Sequence, residues 1–442
     1  MEFVLFGQSL ARHRYLVLIY IVLFIILTWI IVRTKRDLSK LIKIFNILAV
    51  SLLIIPIYQI TIYQINQSRA DREAKENLVA SRDVHLPEDQ VSRDVYLIVA
   101  DGYPRSDFIT QYLDVDNSGF LDGLRSRGFY VAECSQSNYT TTHGSIAATL
   151  NMKYLREDDT DTAGSIPPKH NLDAMIRNNE VQTIFSGLGY QIVTFENGYP
   201  WLRSEMSDIH IDLPWQNPQL GIFKKSINDF EILVLNTTVV RLLSDLSILP
   251  DLTEFIIPIT DWDTPGAPRR ENILYMLETL PKVPTSIEGP KFIYFHVVFP
   301  HPPYVVDSEG NFLEEEPTDE LNAYADHITY LNSRLMEIID TILEQSDPEP
   351  VIVIQSDHGA SIDYEGLDID YSNRLGILNA FYLPPTSNGD PIDQLYSTIS
   401  PVNTFRIIFD SYFQGGFGLL EDRSIVGKQS LFTTSGCSPL EN

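Results

Sequence analysis

The stretch Val351–Ala360, VIVIQSDHGA, decides how this chain is read. Four β-branched apolar residues lead through Gln355 and Ser356 into Asp357 and His358, with Gly359 at once behind them. Side chains of that kind favour a buried strand, so the run reads as a strand that ends in a carboxylate and an imidazole. Far upstream, Val95–Ala100 (VYLIVA) empties into Asp101 and Gly102 in the same way. Ligands of open α/β sheets collect at the carboxyl ends of the strands. Two such strands, side by side, can grip one divalent cation between them.

Further strands are predicted at Phe129–Ala132, Gln191–Phe195, Phe292–Val298 and Leu378–Leu383, and helices at Phe120–Arg127, His143–Met152, Leu172–Leu188, Asn272–Leu280 and Thr318–Gln345. Strands alternating with helices imply βαβ units. The fold class is therefore α/β, with a mostly parallel sheet sandwiched by helices. The region from Tyr199 to Arg270 is rich in Pro, Trp and Asp, and is expected to cap the site.

Two apolar segments precede this domain. Tyr15–Val32 carries no charge, and Leu41–Tyr63 carries only Lys43. Each approaches the roughly 20 residues that a helix needs to cross a bilayer, so a transmembrane hairpin is expected, with the lipid bilayer as a partner. Arg33, Lys35, Arg36, Lys40 and Lys43 mark the connector, which the positive-inside rule leaves in the cytoplasm. Everything after Tyr63 then faces the extracytoplasmic side, although Arg69, Arg72, Lys75 and Arg82 soften the contrast. The expected organisation is an anchor over 1–65 with two spans, a stalk over 66–93, and a catalytic domain over 94–442.

The chain's formal charge is −27, although its first 65 residues hold seven Lys/Arg against two Asp/Glu. A domain so acidic does not bind nucleic acid through a diffuse field. The two cysteines, Cys134 and Cys437, exclude a thiolate metal motif. They can pair in an oxidising compartment, which the sequence does not decide.

Two more stretches carry chemistry. In Asn138–Leu150, NYTTTHGSIAATL, hydroxyls give way to a helix start. A threonine there either caps the helix or sits in a cradle for an anionic ester and acts as nucleophile; Thr140, Thr141 and Thr142 all qualify. In Tyr294–Tyr304, YFHVVFPHPPY, prolines fix the backbone around His301. That residue is placed to bind an ester oxygen or protonate a leaving group. His296 stands inside the apolar strand, where it is either a satisfied core residue or a second substrate contact. Oxygen and imidazole donors together suit Mn²⁺ or Zn²⁺ better than Ca²⁺.

The ordered set Asp101-Gly102, Thr142-x-x-Ser145, His301-Pro302-Pro303-Tyr304 and Asp357-His358-Gly359 resembles the alkaline phosphatase superfamily. Its sulfatase-like branch, with lipoteichoic acid synthases and phosphoethanolamine transferases, is the most similar. The resemblance implies one divalent ion, Mn or Zn, held by Asp101, Thr142, Asp357 and His358. It implies Thr142 as the nucleophile and His301 as the contact to the substrate's phosphate or leaving group, with His296 beside it. Sulfatases proper carry C/S-x-P-x-R where this chain reads THGSI. The expected activity is thus a membrane-anchored phosphotransferase or phosphodiesterase acting on phosphate esters of envelope lipids or polymers. The alternatives are a sulfatase-like hydrolysis of sulfate esters or phosphomonoesters, and an inactive tethered binding factor.

Overall fold

The structure, a computed structural model, describes residues 4–5, 8–9, 13–34, 37–77, 84–155, 167–212, 267–313, 317–360, 371–387, 389–426, 429–432 and 437. Lys35 and Arg36, part of the expected stalk and most of the expected cap lie outside the described residues. The chain divides into two compact units, one over 1–66 and 218–262, the other over 67–217 and 263–442.

The first unit contains helix α1, His13–Arg33, and the opening turns of helix α2, Ser39–Asn77. Apolar side chains from Val22 to Val32 and from Leu41 to Ile57 stand exposed. Among the described residues, Ser39–Glu76 is long and apolar enough to cross a membrane, with a window of mean hydropathy 2.2, and Val22–Arg33 is a shorter apolar helix. Pro56 lies within α2 without ending it, as membrane helices tolerate.

The second unit is built on a seven-stranded sheet. Its strands are β1 Val95–Ala100, β2 Tyr130–Val131, β3 Gln191–Phe195, β4 Ile209–Ile211, β5 Lys291–Val297, β6 Val351–Gln355 and β7 Asn379–Tyr382. They lie in the order β2-β7-β6-β1-β5-β3-β4. Strands β6, β1, β5, β3 and β4 run parallel, and β7 pairs antiparallel with both β6 and β2. The sheet is mostly parallel, as expected.

Period-2 alternation sends each strand's side chains to two helical layers. Tyr96, Ile98 and Ala100 of β1 pack toward α3 (Ser106–Leu113), α4 (Ser118–Ser126), α8 (Ala267–Thr279) and α10 (Glu320–Gln345). Val95, Leu97 and Val99 pack toward α5 (Thr142–Asn151), α6 (Lys169–Arg177), α7 (Glu180–Gly187) and α12 (Thr404–Phe413). The short helices α9 (Val283–Ser286) and α11 (Tyr371–Leu375) precede β5 and β7. In the second layer Phe185 stacks on Phe292 at 4.7 Å and meets Phe409 at 4.9 Å. Fully burying one such ring contributes about 1.5–3 kcal/mol.

The predicted helix over Leu172–Leu188 is two helices, because Asn179 interrupts it and its side chain accepts a hydrogen bond from the amide of Gln182. That contact caps α7. Strand β4 and helices α3, α9, α11 and α12 lie outside the predicted elements. The last turns of α2 dock within this unit, where Asp71 pairs with Arg177 of α6 and Lys75 meets Glu205 at 2.9 Å. A hairpin of β8 (Arg423–Val426) and β9 (Gln429–Phe432) lies against the segment before α5, with Ile425 bridging to Tyr139. Cys134 and Cys437 form a disulfide on the same segment.

Candidate metal centre and active site

Each site residue follows from an element described above. Asp101 leaves the end of β1, and Asp357 and His358 leave the end of the neighbouring β6, in a register that aligns Val99 with Gln355. One oxygen of each carboxylate and one imidazole nitrogen lie within 4.8 Å of one another, and all three residues are buried. Nε2 of His358 is 3.6 Å from Asp101 Oδ1 and 3.4 Å from Asp357 Oδ2.

The surrounding hydrogen bonds fix which atoms face the centre. His358 Nδ1 is 2.9 Å from the carbonyl of Gly359. A carbonyl only accepts, so Nδ1 carries the proton and Nε2 presents its lone pair. Asp357 Oδ1 accepts from the amides of Gly102 and His358 at 3.0 and 2.9 Å. The remaining oxygens, Asp101 Oδ1 and Asp357 Oδ2, are buried without a hydrogen-bond partner among the described residues. Two bare carboxylate oxygens facing a lone pair repel one another and carry a large desolvation cost. A divalent cation answers that arrangement, and the mixed oxygen and nitrogen donors fit Zn²⁺ or Mn²⁺.

Helix α5 brings the fourth donor. Thr141 is its N-cap, accepting from the amide of Gly144 at 3.4 Å. The carbonyl of Thr140 accepts from Arg374 at 3.0 Å. Thr142, the first helical residue, places Oγ1 3.3 Å from His358 Nε2. Of the three threonines that the sequence left open, Thr142 has its hydroxyl beside His358 Nε2, and that of Thr141 caps the helix.

His296 is buried beneath this cluster. Its Nε2 is 3.3 Å from Asp101 Oδ2, and its Nδ1 is 3.0 Å from the hydroxyl of Tyr294, two residues back on the same face of β5. His301 sits higher, half-buried, its ring centroid 6.3 Å from that of His358. Its amide donates to the carbonyl of Asp101 at 3.1 Å, which ties the His301 turn to the strand end that carries Asp101. Its Nδ1 lies 2.6 Å from the carbonyl of Pro302, so Nε2 is left to face a ligand.

Other residues hold these turns in place. Gly102 has φ of 74°, a left-handed conformation natural to glycine. A Cβ on Gly359 would collide with the carbonyl oxygen of Gly376, so only glycine fits there. Arg374 of α11 donates to Thr140 and, at 3.2 Å, to Gly359, joining the threonine segment to the turn after β6. On the other side, Arg269 lies 3.1 Å from the carbonyls of Val298, His301 and Pro302. His327 of α10 accepts from the amide of Val305 at 2.9 Å, and Tyr324 donates to the carbonyl of Gly102.

Electrostatics follow from burial. Burial alone raises the pKa of the Asp101 carboxyl, but the imidazoles of His301, His296 and His358 outweigh it and hold the group well below the usual carboxylate range. Burial lowers the His358 pKa, against the pull of Asp357 and Asp101. An ionised carboxylate beside a neutral imidazole is the ligand state.

The structure thus brings Asp101, Thr142, Asp357 and His358 together, with His296 below and His301 above. Sequence reasoning missed Arg374, Arg269, His327, Tyr324 and Tyr294 in their supporting places. Only Tyr294 had a readable signal, two positions from His296 on a strand.

A family model described as Sulfatase matches residues 93–394. A search of curated proteins finds no match. Solved structures similar to this chain include the C-terminal periplasmic domain of EptC from Escherichia coli in complex with Zn, at 12% identity and TM-score 0.49, covering 78% of this chain and 94% of that one. The integral membrane lipooligosaccharide phosphoethanolamine transferase A from Neisseria meningitidis is similar at 14% identity and TM-score 0.46, covering 94% of this chain and 72% of that one. A protein of the alkaline phosphatase superfamily from Vibrio parahaemolyticus is similar at 9% identity and TM-score 0.46, covering 84% of each chain.

Proposed function

The chain belongs to the sulfatase family, and on that premise we propose that it is a membrane-anchored phosphotransferase or phosphodiesterase with Thr142 as its nucleophile. Its substrates are phosphate esters of envelope lipids or polymers. The observation that carries the reading is the position of Thr142 Oγ1, 3.3 Å from a His358 Nε2 that itself faces two buried carboxylate oxygens lacking a hydrogen-bond partner among the described residues.

Asp101, Asp357, His358 and Thr142 would hold one zinc or manganese ion. Such a cation, when bound, lowers the pKa of a ligating hydroxyl and offsets charge on a phosphoryl group. The residues do the rest. Thr142 gives up its hydroxyl proton to solvent and attacks phosphorus in line, forming an Oγ1–P bond as the bond to the leaving oxygen breaks. The N-terminus of α5 faces the phosphoryl oxygens and favours their negative charge. His301, carrying a second proton on Nε2, hydrogen-bonds the leaving oxygen through Nε2–H and passes it that proton, keeping Nδ1–H on the Pro302 carbonyl. Water or an acceptor hydroxyl then takes the phosphoryl group from Thr142. His296 acts through Asp101, holding Oδ2 so that Oδ1 faces the centre.

Thr142 also weighs against sulfate esters, since that position holds neither Cys nor Ser. Helices α1 and α2 are proposed as two spans, with the domain after them on the extracytoplasmic side. The test is hydrolysis of bis-nitrophenyl phosphate, nitrophenyl phosphate and nitrophenyl sulfate by the purified full chain. Turnover of a phosphate ester supports the reading. Turnover of the sulfate ester alone overturns it.

A further inference from the structure

A second group of ligand-type side chains lies at the same sheet edge, beyond β5. Glu196 follows β3, His210 is the middle residue of β4, and Asp212 follows β4. One ligand atom from each lies within 4.8 Å of the others. His210 Nε2 is 3.4 Å from Glu196 Oε2 and 3.6 Å from Asp212 Oδ1. Glu196 is buried, and its other oxygen accepts from the amide of Gly198 at 3.0 Å.

A chain of hydroxyls fixes the role of one nitrogen of His210. Ser207 donates to the carbonyl of Ile209 at 2.8 Å, so it accepts from Thr194 at 2.8 Å. Thr194 has then spent its one proton and accepts from His210 Nδ1, also at 2.8 Å. With Nδ1 as the donor, Nε2 is the atom that faces both carboxylates, in hydrogen-bond reach of Glu196 Oε2 at 3.4 Å, and it can turn a lone pair to a cation set between them. An imidazole oriented by its far nitrogen, with two carboxylate oxygens in front of it, has the donors and the outer support of a metal site.

Arg203 stands across this opening. Its guanidinium nitrogens are 3.7 Å from Glu196 and 3.9 Å from Asp212, beyond hydrogen-bond length, and its side chain is 40% exposed. A half-exposed cation at that distance is displaced outward without leaving a buried charge behind.

We propose that Glu196, His210 and Asp212 form a second site for a divalent cation of the zinc class, in competition with Arg203. The segment closed by this site carries Trp201, which stacks on His143 at 3.6 Å, and His143 is the residue after Thr142. A cation here would thus stiffen one wall beside the nucleophile. This second site stands whether or not Thr142 is the nucleophile.

The full chain, stripped with a chelator, is titrated with Zn²⁺ and its bound zinc counted after dialysis. Two ions per chain are expected for the parent. His210→Asn and Asp212→Asn each leave one, Asp357→Asn also leaves one, and Asp357→Asn combined with His210→Asn leaves none. Arg203→Gln is expected to tighten the second ion by about tenfold, the range seen when a neighbour of a ligand is changed. Asp212 is 45% exposed, so its variant keeps the fold, and thermal unfolding checks the others. If His210→Asn and Asp212→Asn leave the zinc count unchanged while Asp357→Asn removes all of it, the group is an ion-pair network and the proposal fails.

Discussion

Thr142 and His358 stand 216 positions apart in the chain, yet Oγ1 of one lies 3.3 Å from Nε2 of the other. A helix start and a strand end meet there because α5 packs on the face of the sheet to which Asp101 and His296 also turn. Replacing Thr142 with Ala is expected to lower kcat/KM for a phosphodiester by about two orders of magnitude or more, since a nucleophile's removal costs that much. Thr141→Ala removes only a cap, costing about 1 kcal/mol of stability. Equal activity losses in the two variants would move the nucleophile elsewhere.

Chelation is expected to abolish activity, and Zn²⁺ or Mn²⁺ to restore it. Because the ion would bind the native state, saturation at about a hundred times its Kd adds about 2.7 kcal/mol of stability. Differential scanning calorimetry reads this as a higher Tm. In Asp357→Asn the part of the rise that comes from this centre is lost, and only the part from an ion at Glu196, His210 and Asp212 remains.

The two histidines of the Tyr294–Tyr304 stretch are predicted to part company. His296→Gln loosens Asp101 and weakens metal affinity by about tenfold or more. His301→Gln leaves the affinity unchanged and lowers kcat, most for substrates with a poor leaving group. Metal titration alongside steady-state kinetics separates the two.

Stability at low pH gives a further check. Burial pushes the pKa of His327 down to about 3, against about 6.5 for a free imidazole. The unfolded chain therefore takes up a proton that the native chain refuses as pH falls below about 6.5. Stability declines across that window by about 1.4 kcal/mol per unit once the unfolded group is protonated. The His143 pKa, lowered to about 4 mainly by burial, acts with the same sign. Asp173 acts oppositely. Burial raises its pKa from 3.8 to about 6, so the native chain keeps a proton that the unfolded chain releases, and this stabilisation is lost as pH rises through that range. In His327→Gln, urea melts between about pH 6.5 and about pH 4 should show a shallower pH dependence. An unchanged slope would assign the acid sensitivity to other groups.

The strand exits were legible in the sequence because apolar runs and ligand residues stand next to one another in VYLIVADG and VIVIQSDHG. Those features carry both the sheet and three of its donors. Strand β4 was not, since three residues with His210 in the middle show no apolar run. The break between α6 and α7 was missed for a related reason: Asn178 and Asn179 fit a helix's polar face until the cap is seen. Arg374 and Arg269 act on backbone carbonyls distant in sequence. No spacing rule reports contacts of that kind. For His296 the strand pattern fixed the face it shares with Tyr294, but not the carboxylate waiting at 3.3 Å.

The alignment of Val99 with Gln355 has a consequence for positions that touch no ligand. Side chains alternate along a strand, so a slip of a single position between β1 and β6 would swing Asp357 away from Asp101 and leave the pair on opposite sides. Leu97 and Val353, sealed within the interior, are therefore gauges of catalytic geometry as well as of cohesion. The placing of these carboxylates is thus tied to the interlocking of greasy side chains below.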